Sequence, residues 1–158
     1  VGDKAMRATD LAGVRLLLVD DNLVNRKVAK VLLQMQDMEV TEAENGREAL
    51  EQLAKHDFDI VLLDIHMPVM DGVETINHIR TSDAPWRTIP VLALTADAMS
   101  GDRERYIEMG MNDYVSKPVN QRALICAISS ALEQSKAADA KAARRSAVSQ
   151  QRRTGGAA

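Results

Sequence analysis

The chain has 158 residues, 46% of them hydrophobic and 27% charged, which is enough for one domain with a real core plus tails. Its single cysteine, Cys126, excludes an internal disulfide and a thiolate metal cluster and fits a reducing, cytoplasmic setting. The formal net charge of −3 is uneven, with 14 Lys+Arg against 22 Asp+Glu in residues 1–134 and 6 against 1 in residues 135–158, and so acidic a body does not resemble a nucleic-acid binder.

Residues 1–13 lack periodicity and read as a linker or N-terminal arm, and the chain opens with Val rather than Met, as an excised piece of something longer would. The run Val14 to Val19 has the length of a buried strand, is far too short to cross a bilayer, and ends on Asp20-Asp21-Asn22. No basic, apolar and small-residue order of a signal peptide is seen at the N-terminus. Residues 23–36 place Val24, Val28, Val31, Leu32 and Met35 at helical spacing. Val40 to Ala43 is a weak second strand, Asn45-Gly46 a turn, and Ala49, Leu50 and Leu53 mark a second helix.

Phe58 to Asp64 is the clearest buried strand and again ends on an acid. Pro68 and Asp71-Gly72 mark a loop before a third helix carrying Val73, Ile76 and Ile79. Ile89 to Thr95 is a fourth strand, with Pro90 tolerable near its start. A polar helix over residues 99–109 ends at Gly110, and Asp113 to Ser116 forms a short fifth strand. Residues 120–134 form a fifth helix with Leu124, Ile125, Ile128 and Leu132 facing inward. From Ser135 the chain is a basic Ala/Arg-rich tail, expected to be a helical extension and then disordered.

Five strands alternating with five helices imply an α/β fold, a doubly wound parallel sheet covered on both faces, whose chemistry lies beyond the carboxyl ends of the strands. Those ends carry Asp20 and Asp21, Asp64, Thr95 and Lys117. Three crowded carboxylates raise one another's pKa and call for a cation, and Mg²⁺ prefers oxygen ligands and often bridges carboxylates to phosphate. Lys117 and the Thr95 hydroxyl then suit the oxygens of a phosphoryl group, and Asp64, after the most buried strand, suits the nucleophile. For one strand-end acid alone, a helix cap or a solvated charge is an equally good reading.

The segments Leu18-Val19-Asp20-Asp21-Asn22, Leu63-Asp64-Ile65-His66-Met67-Pro68-Val69-Met70-Asp71-Gly72, Leu94-Thr95-Ala96 and Asp113-Tyr114-Val115-Ser116-Lys117-Pro118 resemble those of a response-regulator receiver domain, over residues 14–134. The resemblance implies a flavodoxin-like sheet of order 2-1-3-4-5. It implies Asp64 as phosphoacceptor and Mg²⁺ on Asp21, Asp64 and the His66 backbone carbonyl, with Asp20 in support. It also implies Thr95 and Lys117 on the phosphoryl group, and Tyr114 with Thr95 as the switch pair. The run Asp20-Asp21-Asn22-Leu23-Val24-Asn25-Arg26 and the full Met-Pro-Val-Met-Asp-Gly loop are similar to receivers of hybrid histidine kinases. The partners implied are a histidine kinase domain or a histidine phosphotransfer protein, in a cytoplasmic phosphorelay. The segment itself is expected to be a monomer or weak dimer, with no nucleic acid and no membrane insertion. No DNA-binding output domain follows residue 134, which weakens a transcription-factor reading.

The alternatives are a stand-alone regulator, a pseudo-receiver that binds without turning over phosphate, a flavin or nucleotide binder and an aspartyl-phosphate hydrolase. An intact acid, hydroxyl and ammonium set speaks against the pseudo-receiver. Asp-Asp-Asn after the first strand would repel a phosphate that a nucleotide-binding loop must cradle. Met67 and Met70 read as packing residues, the His66 side chain as non-catalytic, His56 and His78 as surface residues, and Cys126 as a small buried thiol. Trp86 is either an anchor for the polar stretch Thr81 to Thr88 or a partner contact. The basic tail lacks aromatic residues for base stacking and a sustained apolar face, so it reads as solvated.

Overall fold

A computed structural model describes residues 11–96 and 102–135 of the chain. Its strands are β1 (Arg15–Val19), β2 (Glu39–Ala43), β3 (Ile60–Asp64), β4 (Val91–Thr95) and β5 (Asp113–Ser116). The helices are α1 (Leu23–Gln34), α2 (Gly46–Lys55), α3 (Gly72–Thr81), α4 (Asp102–Met109) and α5 (residues 121–135), with a 3₁₀ turn at Pro85–Thr88. All strand pairs are parallel, as the alternation of strands and helices implies, and the order is β2-β1-β3-β4-β5, the one implied by the resemblance to receiver domains. Residues 1–10, 99–101 of the expected fourth helix, and the tail beyond 135 lie outside the described residues.

Strand alternation sorts the core into two layers. Leu17, Val19, Val61, Leu63, Val91 and Ala93 pack against α2, α3 and α4 on one face. Leu16, Leu18, Ile60, Leu62, Leu92 and Leu94 pack against α1 and α5 on the other. β1, β3 and β4 are buried on both sides, which explains why they read as unbroken apolar runs. β2 is an edge strand with only Ala43 buried, so its pattern is weak. Three strands are shorter at their N-terminal ends than expected, because Val14, Phe58, Asp59, Ile89 and Pro90 lie outside the ladders. Leu11, within the stretch read as an arm, is 1% exposed and packs in the α1–α5 layer, while the Gly13 amide bonds the Asp37 carbonyl at 2.9 Å.

Helix α1 forms where the spacing of its apolar residues places it, and the structure shows which face is buried. The helix exists, capped by the Asn22 side chain on the Asn25 amide, but its buried residues are Arg26, Ala29 and Leu33. Val24 is 68% exposed and Met35 62%, and Leu23, Val28 and Val31 are exposed as well. Ala29, Leu33 and the satisfied Arg26 form the face of α1 that lies against the sheet, with Leu32 packed beside it, so the other large apolar residues face outward. Cys126 is likewise exposed on α5 rather than buried, because Leu124 and Ile128 take the inward positions. His56 and His78 are at the surface, as expected. Trp86 is half-buried against the core, so it anchors its loop. Arg80 of α3 closes that loop by donating to the carbonyls of Arg87, Ile89 and Gly110 at 2.7–2.8 Å.

Gly72 sets how closely α3 approaches the end of β3. An added Cβ there would lie 2.6 Å from the Asp64 carbonyl oxygen and 2.8 Å from the Ile65 Cα, both backbone atoms that cannot swing aside. Gly72→Ala is therefore expected to lower stability by about 1–3 kcal/mol, as overpacked sites do. Urea denaturation checks this, and an unchanged midpoint would contradict so close an approach.

Candidate functional site

The carboxyl ends of β1 and β3 are neighbours, since Val19 pairs with Leu63. Asp20 and Asp64 therefore emerge side by side, and both are buried, at 1% and 3% exposure. Asp21 follows on the exposed start of the loop into α1. Each of the three acids can offer a carboxylate oxygen such that all three atoms lie within 4.8 Å of one another.

Lys117 enters from the far side of the sheet. Its amide donates to the Thr95 carbonyl at 2.7 Å, which ties the β5 end to the β4 end, and the Lys117–Pro118 peptide is cis. The Nζ atom lies 3.1 Å from Asp20 Oδ2 and 3.2 Å from Asp64 Oδ1, so one ammonium joins both buried acids. Backbone amides supply the rest, from Asn22 to Asp20 Oδ1 at 2.9 Å and from His66 to Asp64 Oδ1 at 3.3 Å.

Thr95 is buried at the end of β4, one residue beyond Leu94, the strand partner of Asp64. Tyr114 sits two residues before the end of β5, half-buried, with its ring 5.7 Å from that of Tyr106 and tilted to it. The structure thus links Asp20 and Asp64 through Lys117, brings Asp21 within 4.8 Å of both acids, sets Thr95 at the adjacent strand end, and places Tyr114 farther down β5. Met67 is buried and Met70 half-buried, in keeping with packing roles. Val69, exposed beside them, has a φ of 71°, and the Met70 amide turns back to the Pro68 carbonyl at 2.8 Å. That is a strained conformation for a β-branched residue, in the loop that follows Asp64.

The electrostatics follow from this geometry. Burial, and then the charge of Asp20, push the Asp64 carboxyl up to about 6 from 3.8, with Lys117 and the His66 amide pulling the other way. Burial pulls the Lys117 ammonium down, but its bonds to Asp20 and Asp64 outweigh that and raise it. With the acids ionised, three carboxylates face one ammonium, and the excess negative charge fits a divalent, oxygen-seeking cation.

Sequence reasoning gave no role to Arg26. It is buried, and its Nη1 donates to the Asp20 carbonyl at 2.9 Å while its Nε meets Glu42 Oε1 at 3.1 Å. An arginine in phase with Ala29 and Leu33 on α1 was the available signal.

The sequence profile of the response regulator receiver domain matches residues 16–129. Hybrid signal transduction histidine kinase I of Dictyostelium discoideum is 37% identical over 116 residues, which cover 70% of this chain and 7% of that much longer protein. The crystal structure of the receiver domain of a sensor histidine kinase from Pseudomonas aeruginosa has magnesium ion coordinated in its active-site cleft. That structure is 35% identical, with a TM-score of 0.70, over 77% of this chain and 99% of that one. A receiver domain from Saccharomyces cerevisiae, co-crystallised with a histidine phosphotransfer signalling protein, is 28% identical with a TM-score of 0.63, over 72% of this chain and 85% of that one.

The raised Asp64 pKa has a signed consequence for stability. Between 3.8 and about 6 the folded, metal-free chain keeps a proton that the unfolded chain has released. Stability is therefore expected to fall as pH rises through that window, and Asp64→Asn to flatten the slope. Thermal denaturation at about pH 4 and about pH 7 measures it, and equal slopes in both proteins would contradict the assigned proton.

Proposed function

This chain belongs to the response regulator receiver family, and on that premise we propose that Asp64 accepts a phosphoryl group from a phosphohistidine in a Mg²⁺-dependent reaction. The observation that carries the proposal is the pairing of two buried carboxylates at adjacent strand ends through one ammonium. Mg²⁺, held by Asp21, Asp64 and the His66 carbonyl with Asp20 in support, would supply the positive charge that the acids and the phosphoryl oxygens require.

The chain's own residues do the rest. Lys117 and the His66 amide hold Asp64 Oδ1, so Oδ2 is the attacking oxygen. An Oδ2–P bond forms as the N–P bond breaks, and the imidazole keeps the electron pair and takes a proton from solvent. Lys117 then pairs with one phosphoryl oxygen, and the Thr95 hydroxyl with nearby backbone amides takes another. Inward movement of Thr95 opens space for Tyr114 to leave Tyr106 and turn, which changes the surface of α4, β5 and α5. The bond energy is spent on biasing this two-state element.

The partner is a histidine phosphotransfer protein or the kinase domain of a hybrid histidine kinase. The family's hybrid-kinase relatives and the yeast receiver's complex support this, and so does the outward apolar row of α1. Leu23, Val24, Val28, Val31 and Met35 run from the helix start, directly after Asp20 and Asp21, toward its end. Such a row covers the helical surface of a partner whose histidine must reach Asp64. The receiver body spans residues 14–134, works as a monomer or weak dimer, and belongs in the cytoplasm. Among the described residues no helix is long and apolar enough to cross a membrane.

Two experiments test the proposal. With Mg²⁺ and a small-molecule phosphodonor, intact mass spectrometry should find one added phosphoryl group, absent in Asp64→Asn and strongly reduced in Lys117→Ala, which still binds Mg²⁺. Full incorporation in Asp64→Asn would refute the assignment. Separately, Val28→Glu should slow transfer from a phosphotransfer protein at least ~10-fold while leaving labelling by the small donor unchanged, since a charge buried in an interface costs binding. Equal slowing with both donors would place α1 outside the docking face.

A further inference from the structure

We infer that Arg26 is a positioning residue that fixes the peptide joining Asp20 to Asp21 and so sets the cation affinity of the site. The inference rests on the receiver reading above. The Asp20–Asp21 peptide decides where the second acid points relative to the first. Its flanking groups are held from three sides: the Asp20 amide donates to the Ala43 carbonyl at 3.2 Å, the Asp20 carbonyl accepts Arg26 Nη1 at 2.9 Å, and Asp20 Oδ1 accepts the Asn22 amide at 2.9 Å. Of these, only the Arg26 contact acts on the carbonyl of that peptide from a side chain.

Arg26 is itself fixed from β2. Its Nε meets Glu42 Oε1 at 3.1 Å and its Nη2 lies 3.8 Å from Glu44 Oε1, while Lys30 Nζ takes Glu42 Oε2 at 3.1 Å. Glu42 sits opposite Leu18 in the β1–β2 register, two residues before the acid pair. Burial works against the Glu42 charge, but Lys30 and Arg26 outweigh it and lower its pKa, so it is ionised at neutral pH. The guanidinium is thereby neutralised locally and acts on the site through geometry. Its planar fork reaches a carbonyl and a carboxylate at once, which a lysine ammonium at the same place cannot reproduce.

Geometry and simple charge predict opposite signs. If Arg26 acted only as a nearby positive charge, Arg26→Gln would tighten Mg²⁺ binding and Glu42→Gln would weaken it. If Arg26 holds the peptide, Arg26→Gln weakens Mg²⁺ binding about tenfold, the lower end of the effect of losing groups that orient metal ligands. Glu42→Gln still accepts the Nε bond, leaves the Asp20 contact in place, and should keep Mg²⁺ affinity within about twofold of the unmodified chain.

The test is calorimetric titration of Mg²⁺ into the unmodified chain, Arg26→Gln, Arg26→Lys and Glu42→Gln, with thermal midpoints measured on the same samples. Arg26→Lys keeps the charge, serves if Arg26→Gln does not fold, and should also bind more weakly. Tighter or unchanged binding in the Arg26 variants overturns the inference, as does an equal loss in Glu42→Gln at matched stability. Failure of the unmodified chain to bind Mg²⁺ overturns the metal reading itself and this inference with it.

Discussion

One ammonium group holds the site together. Lys117 Nζ reaches Asp20 and Asp64, at 3.1 and 3.2 Å, across the carboxyl edge of the sheet. It offsets the repulsion of two carboxylates buried this deeply in so small a space, each of which raises the cost of ionising the other. The fold supplies the convergence: a parallel sheet sends every strand end to the same rim, and the β2-β1-β3-β4-β5 order puts the two acid-bearing strands next to each other at its centre. Gly72 sits where α3 comes close to the end of β3.

The same pairing leaves the site unfinished. Burial, and then the charge of Asp20, hold the Asp64 carboxyl above its ordinary value even with Lys117 in place, and a further cation would offset both. A site in that condition is ready for a divalent cation and, with it, for a phosphoryl group. On the proposed function, binding, transfer and switching would all draw on one imbalance, with the Arg26–Glu42 network beneath the acids holding their geometry.

Much of this was legible in the sequence, for a physical reason. Strands buried on both faces must be apolar throughout, so β1, β3 and β4 declare themselves, and the polar residues that end them are conspicuous. What was not legible depends on which side of an element faces in. The apolar row of α1 has helical period, yet it points to solvent, because periodicity fixes that a face exists and not what covers it. Arg26 hides in the opposite face because its charge is met by groups from β1 and β2, contacts distant in sequence. Cys126 was misplaced for a similar reason: Leu124 and Ile128 own the inward stripe of α5, and Cys126 falls between them.

The central claim is that Asp64 is the residue that becomes phosphorylated. An acyl phosphate is reduced by borohydride to the alcohol, which marks the modified acid permanently. After phosphorylation with Mg²⁺, borohydride treatment and peptide sequencing by mass spectrometry, the account predicts conversion to homoserine at position 64 alone. Conversion at Asp20 or Asp21, or none in protein shown to bind Mg²⁺, would contradict it.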